Sequence, residues 1–202
     1  MIRPFGEAAL LVELSSSEAA QNLAASLRAE APAGMVEAVP GLASVLVEFD
    51  PLAADLAEMS AAVERLRSAS PATVKPGRLH TIPVAYDGPD LADVASLTGM
   101  TEDEVVALHA ATELRVLFCG FAPGFAYLGD LSSELHVGRL ATPRPTTPAG
   151  SVAIAGSMSA IYPAALPAGW RVIGRTDVTL FDPSWDVPAL LLPGDRVRFE
   201  RT

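Results

Sequence analysis

Two glycine- and proline-punctuated runs constrain this chain more than any other feature. They are Gly120-Phe-Ala-Pro-Gly-Phe-Ala-Tyr-Leu-Gly129 and Pro148-Ala-Gly-Ser-Val-Ala-Ile-Ala-Gly156, with five glycines and two prolines between them. That density excludes a helix, where glycine costs backbone entropy and proline removes a donor. A flexible linker is excluded too, because it would not carry Phe121, Phe125, Tyr127 and Leu128. Short strands joined by tight turns remain. Glycine in such places supplies positive φ or lets a second backbone come close. The runs are therefore expected to form the wall of a barrel and the floor of its binding surface.

The rest of the C-terminal half agrees. Strands are expected over Glu113–Cys119, Ser151–Ala155, Ala160–Tyr162, Trp170–Ile173, Val178–Phe181 and Arg196–Glu200. Turn signals such as Pro167-Ala-Gly169, Asp182-Pro183 and Pro193-Gly-Asp195 separate them. Short strands at this spacing predict a closed barrel. Two short helices precede them. One runs over Asp90–Leu97 with Gly99 at its end; the other opens on a Thr101/Glu104 capping box and carries Val105, Leu108 and His109.

The N-terminal third reads as β-α-β-β-α. A strand over Ala8–Leu14 precedes a helix with Ser15 as its expected N-cap and Ala20, Leu23, Ala24 and Leu27 on one face. Met35–Val39 and Ala43–Phe49 follow as strands, the second with Val45, Val47 and Phe49 on one side. A helix over about Ala54–Leu66 comes next. A further strand around Leu79–Ala85 would complete a ferredoxin-like split β-α-β unit; His80–Tyr86 reads equally as a strand or an extended entry into the second domain. Ser68–Gly77 has linker composition, so the fold class is α+β in two domains, 1–78 and 79–202.

Composition narrows the function. Half of the 202 residues are hydrophobic and the net charge is −10, with 14 scattered Lys and Arg. No basic face for nucleic acid is visible. The start lacks the features of a signal peptide, no apolar run approaches a membrane span, and the single Cys119 fits a cytoplasmic protein. Three histidines, His80, His109 and His136, are not at metal-ligand spacing, so no metal site is expected. No Walker loop, dinucleotide fingerprint or Gly-x-Ser-x-Gly elbow occurs. The chain has no self-contained catalytic set, which points to a subunit that shares a site, or to a binding module.

Candidate site residues follow from side-chain chemistry. Arg144, stiffened between Pro143 and Pro145, can hold a carboxylate or phosphate in bidentate fashion, or make a loop-to-loop salt bridge. Arg175 follows Gly174 and can face the same cleft, or pack at the barrel end. Phe121, Phe125, Tyr127 and Tyr162 can line an apolar pocket or form core, with Tyr162 the best exposed candidate. His109, near a helix C-terminus where its protonated form suits the dipole, can serve the site or be a capping or packing histidine.

Seven segments in order resemble one family. They are Gly120–Gly129, Ala141-Thr-Pro-Arg144, Pro148–Val152, Ile161-Tyr-Pro163, Gly169–Thr176, Leu180-Phe-Asp-Pro183 and Pro193–Val197. Together they resemble the allophanate hydrolase subunit 1 family, which includes the B-type component of a three-part 5-oxoprolinase and a sporulation histidine-kinase inhibitor. The resemblance implies a ferredoxin-like domain followed by a cyclophilin-like β-barrel. It implies a partner of the subunit 2 or C-type kind, with an A-type component as a further one, and a small amide substrate. It also implies ATP and Mg2+ at the assembled complex, opening the lactam of 5-oxoproline to glutamate. A histidine-kinase-binding regulator and, by fold analogy, a prolyl isomerase are the competing functions. One departure stands out: Met158 replaces the glutamine of the family's Gly-Gly-Gln-Thr-Gly, losing amide hydrogen bonds. It places Met158 among the site residues and opens the alternative of a relative with altered substrate.

Overall fold

A computed structural model describes residues 1–69 and 77–202. The chain divides into two compact units, Met1–Pro76 and Gly77–Thr202. Most of the linker expected over Ser68–Gly77 lies outside the described residues.

The first unit contains β1 (Ile2–Pro4), β2 (Ala9–Glu13), α1 (Ser17–Glu30), β3 (Met35–Pro40), β4 (Ser44–Phe49) and α2 (Leu56–Ser68). Its sheet has the order β1-β2-β4-β3, all antiparallel. Alternation sends Leu10, Val12, Val45, Val47 and Phe49 to the covered face, where they meet Ala20, Leu23, Ala24 and Leu27 of α1 and Met59 and Val63 of α2. Ser16, not Ser15, caps α1, accepting from the Ala19 N–H at 3.2 Å. Asp55 and Glu58 cap α2 reciprocally. The fourth sheet position belongs to β1 and not to the strand after α2, which corrects the expected split β-α-β closure.

That later strand, β5 (Leu79–Val84), belongs to the second unit. It pairs in parallel with β13 (Arg196–Arg201) over six residues, from Leu79↔Arg196 to Val84↔Arg201. Each partner is more than a hundred positions away, so local pattern does not choose between closing the first unit and entering the second. The remaining elements are α3 (Leu91–Thr98), α4 (Glu102–Ala111), β6 (Glu113–Cys119), β7 (Ala126–Gly129), β8 (Arg144–Thr147), β9 (Ser151–Ala155), β10 (Met158–Ile161), β11 (Leu166–Ala168) and β12 (Arg171–Arg175). The main sheet has seven strands in the order β12-β9-β10-β7-β6-β13-β5. Its two ends meet at one bridge, where Ala85 and Arg175 exchange N–H···O bonds of 2.9 and 2.8 Å. The sheet is thus a nearly closed barrel. A separate two-stranded sheet joins β8 and β11.

Both faces of this sheet are covered, and β9 shows how. Val152 and Ile154 enter the main core with Val94, Val105, Leu128 and Phe199. Ala153 and Ala155 face a second cluster built on Phe125, Tyr162 and Trp170. Small residues on that side make room for aromatic rings. The expected strand over Val178–Phe181 does not form. Its segment instead pairs with its own sequel, Leu190 N–H donating to Leu180 O at 2.9 Å and Asp182 N–H to Pro188 O at 2.9 Å. Among the described residues no helix is long and apolar enough to cross a membrane.

Candidate functional site

Three segments of the second unit enclose a cavity of about 240 Å³. The turn Asp87-Gly88-Pro89 forms one wall, β8 and its sequel (Arg144, Thr147, Pro148, Ala149) a second, and β12 (Val172, Gly174, Arg175) a third, with Ser151 of β9 also present. Close backbone approach builds it. A Cβ at Gly88 would lie 2.4 Å from Val172 O and 2.5 Å from Gly174 N. A Cβ at Gly150, whose φ is +79°, would lie 2.2 Å from Thr176 O. These clashes explain two of the glycines around the site.

Arg144 and Thr147 are three residues apart on a strand, so simple alternation would send them to opposite faces. A register shift prevents this: Thr147 pairs with Leu166 and Arg144 with Ala168, so three steps on β8 match two on β11. The bulge lets both side chains line the same cavity.

Both expected arginines line this cavity, and each meets an aspartate. Arg144 Nη2 donates to Asp90 Oδ1 at 2.5 Å, and Asp90 Oδ2 accepts the Val172 N–H at 2.7 Å. Asp90 is 5% exposed, so this pair is substantially desolvated. Arg175 Nε donates to Asp87 Oδ2 at 2.9 Å in an exposed pair. Sequence pattern alone makes both aspartates turn and cap residues; in the structure they fix the guanidiniums. Asp90 makes no side-chain cap bond to α3.

Two polar atoms of Arg144 and Thr147, Nη1 and Oγ1, are buried with no hydrogen-bond partner among the described residues. Thr147 is fully buried. A buried donor left unmatched costs about 1–3 kcal/mol, and such groups need a reason. Sequence reasoning misses Thr147, since a threonine in a proline-rich strand carries no distinguishing signal.

The aromatic candidates lie elsewhere. Phe125 and Tyr162 are each 2% exposed and meet edge to face at 5.3 Å, with Trp170 at 6.2 Å from Phe125. Tyr127 stacks on Phe118 at 4.1 Å. Met158 packs against the same cluster. These residues form a second core, the alternative to a pocket wall, because the alanines of β9 and β10 draw the rings onto the sheet. Tyr162, expected at an exposed rim, is covered; burial, with Tyr127 nearby, pushes its phenol up to about 12 against the pull of Arg139 and Arg144. Of the aromatic candidates only Phe121 is well exposed, with a φ of +75° that is uncommon for a bulky residue.

His109 is not in the cavity either. It is fully buried and stacks on Phe199 at 4.7 Å. Its Nδ1 is 2.8 Å from the Tyr86 hydroxyl and its Nε2 is 3.0 Å from Ser159 Oγ. Ser159 donates its one proton to Ala153 O at 3.2 Å. Nε2 must therefore carry the imidazole proton, and Nδ1 must accept from Tyr86. Burial holds the ring down to about 3, so it is neutral: the packing alternative, and not a cation at the helix end. Cys119 is also a weak acid: burial first, then Asp195, pushes its thiol up to about 11. Among the described residues no group of three or more His, Cys, Asp or Glu could hold a metal ion.

Similarity to known proteins adds to this geometry. The family described as carboxyltransferase domain, subdomain C and D, matches residues 1–191. The B-type subunit of 5-oxoprolinase from Escherichia coli is 47% identical over 174 residues, which is 82% of this chain and 77% of that protein. The protein of the same name from Haemophilus influenzae is 36% identical over 205 residues, 98% of this chain and 96% of its own length. The crystal structure of TTHA0988 superposes with a TM-score of 0.87 at 34% identity. It covers all of this chain, but this chain spans only 40% of that one.

Proposed function

Because this chain belongs to the carboxyltransferase domain family of subdomains C and D, among the allophanate hydrolase subunit 1 proteins, we propose that it is the B-type subunit of an ATP-dependent 5-oxoprolinase. In this reading it acts with A-type and C-type partners to open the lactam of 5-oxoproline to glutamate. The supporting observation in the fold is the cavity of the second unit, where Arg144 and Arg175 converge with Thr147. A lactam is a poor electrophile, so orientation against an activated reagent is what a non-catalytic chain can supply.

The cavity's residues do not fit ATP with Mg2+. Each guanidinium already faces an aspartate, so the four charges cancel and a triphosphate gains no net attraction. The nucleotide is accordingly assigned to a partner. The finer fold reading follows the same family: a ferredoxin-like arrangement over 1–78 with β1 in the final strand's place, and a cyclophilin-like barrel over 79–202. A cytoplasmic setting goes with it.

The test is reconstitution. Coexpression with the A-type and C-type partners should give 5-oxoproline-dependent ATP hydrolysis that disappears when this chain is omitted. Equal turnover with and without it would sink the reading.

A further inference from the structure

We propose that the open face of the first unit's sheet is a docking surface for a basic, amphipathic helix of another protein. The opposite face of this sheet is packed, with Leu10, Val12, Val45, Val47 and Phe49 against α1 and α2. Alternation sends the residues between them to the open side. The pairing register then aligns one row across all four strands: Arg3↔Leu11, Leu11↔Leu46 and Leu46↔Val39. Residues directly opposite on a sheet have Cβ atoms about 5 Å apart, so Leu11, Leu46 and Val39 form one continuous aliphatic stripe. Leu11 and Leu46 are half-buried and Val39 is exposed. Leu46 also lines an open hollow of about 400 Å³ with Phe5 and Val36, which are 56% and 64% exposed.

The rim sets the sign of the occupant. Glu13 stands opposite Ser44 on one side of the stripe, and Glu48 opposite Glu37 on the other. Glu7 and Glu48 both line the hollow. Arg3 meets Glu13 at 3.5 Å and Arg28 meets Glu37 at 3.0 Å. Glu7 and Glu48 have no ion-pair partner among the described residues, so the rim carries a net negative charge. A second copy docking by the same face would bring these carboxylates together, under a chain charge of −10. Lysine or arginine beside apolar residues meets the rim with the opposite sign. Strand spacing selects the shape. Strands about 4.8 Å apart set the three aliphatic anchors about 5 Å from one another. Helix residues at i, i+3 or i+4, and i+7 share one face and advance about 5 Å per step. A helix lying across the strands therefore matches the stripe, whereas a strand added at the sheet edge would leave it bare. The 5-oxoprolinase reading is not needed for this surface.

The probe is a capped peptide of about 14 residues, with leucine at i, i+3, i+4 and i+7 and lysine on both flanks. One control replaces every lysine by glutamate; a second keeps the composition but scatters the leucines. Each is titrated into the isotope-labelled full chain and followed by NMR. The expected result is saturable shifts confined to amides of β2, β4 and β3 with the basic peptide, and binding at least tenfold weaker for both controls. Leu46→Lys puts a cation in the middle of the stripe and should weaken the basic peptide at least tenfold. Glu48→Lys, at an exposed position, should weaken it about fivefold and strengthen the glutamate peptide. Urea midpoints check that both variants fold, and Glu48→Lys decides if Leu46→Lys does not. No saturable shifts, shifts away from these strands, equal binding of either control, or unchanged binding in a folded variant would overturn the proposal. Shifts of the same amides with protein concentration alone would give the face to a second copy and overturn it too.

Discussion

The second unit contains two buried polar clusters built on opposite terms. Around His109 every polar atom has an assignment: Tyr86 donates to Nδ1, Nε2 to Ser159, and Ser159 to Ala153 O. Around Arg144 the assignment stops short, with Nη1 and Thr147 Oγ1 unmatched among the described residues. The closed cluster sits in packed core, against Phe199; the open one lines a cavity. Burial and polarity alone do not distinguish a site from a structural core. The distinction lies in whether the fold itself satisfies the groups.

If that distinction holds, changes in the closed cluster should cost most. His109→Ala removes a stacked ring, orphans the Tyr86 hydroxyl and takes away the donor to Ser159, and should destabilise by about 5 kcal/mol in urea unfolding. Arg144→Ala comes next, because it leaves the Asp90 carboxylate buried without its cation. We expect a loss of about 3 kcal/mol, the low end for a broken buried pair because the arginine side chain is 30% exposed. A larger loss for Arg144 than for His109 would blur the comparison.

Acid should expose the closed cluster in a second way. The folded pKa of His109, about 3, lies below its ordinary 6.5. Above pH 6.5 both states are neutral and the difference has no effect. Between 6.5 and 3 the unfolded chain takes up a proton that the folded one refuses, so stability falls as pH falls, by about 1.4 kcal/mol per pH unit. Subtracting the same titration for His109→Leu should isolate that slope. Parallel curves for the two proteins would contradict the burial argument.

Part of this is legible in the sequence. The Thr101/Glu104 capping box and the Ala20–Leu27 face form as expected, since both depend on contacts within a few residues. Arg144 and Arg175 also converge on one cavity, as the proline and glycine punctuation around them suggests. What local pattern misses depends on distance. It leaves the sheet of β5 open between the two units because the partner β13 is over a hundred residues on. The β8 bulge that turns Thr147 inward has no local signature. A helix C-terminus leaves His109 open between a cation and a packing residue, and Val105 four residues earlier on the same helix face, fully buried, marks that face as internal.

Smaller effects sharpen the contrast further. Ser159→Ala leaves the His109 Nε2–H and the Ala153 carbonyl each short of a partner, and should cost about 1.5 kcal/mol.

The most direct measurement is the urea midpoint of Thr147→Val. Its hydroxyl has no hydrogen-bond partner among the described residues. Replacing it by a methyl should therefore leave stability unchanged or raise it by up to about 1 kcal/mol. A loss of about 1 kcal/mol or more, comparable to Ser159→Ala, would show that the hydroxyl serves the fold after all, and the cavity would lose its standing as a site.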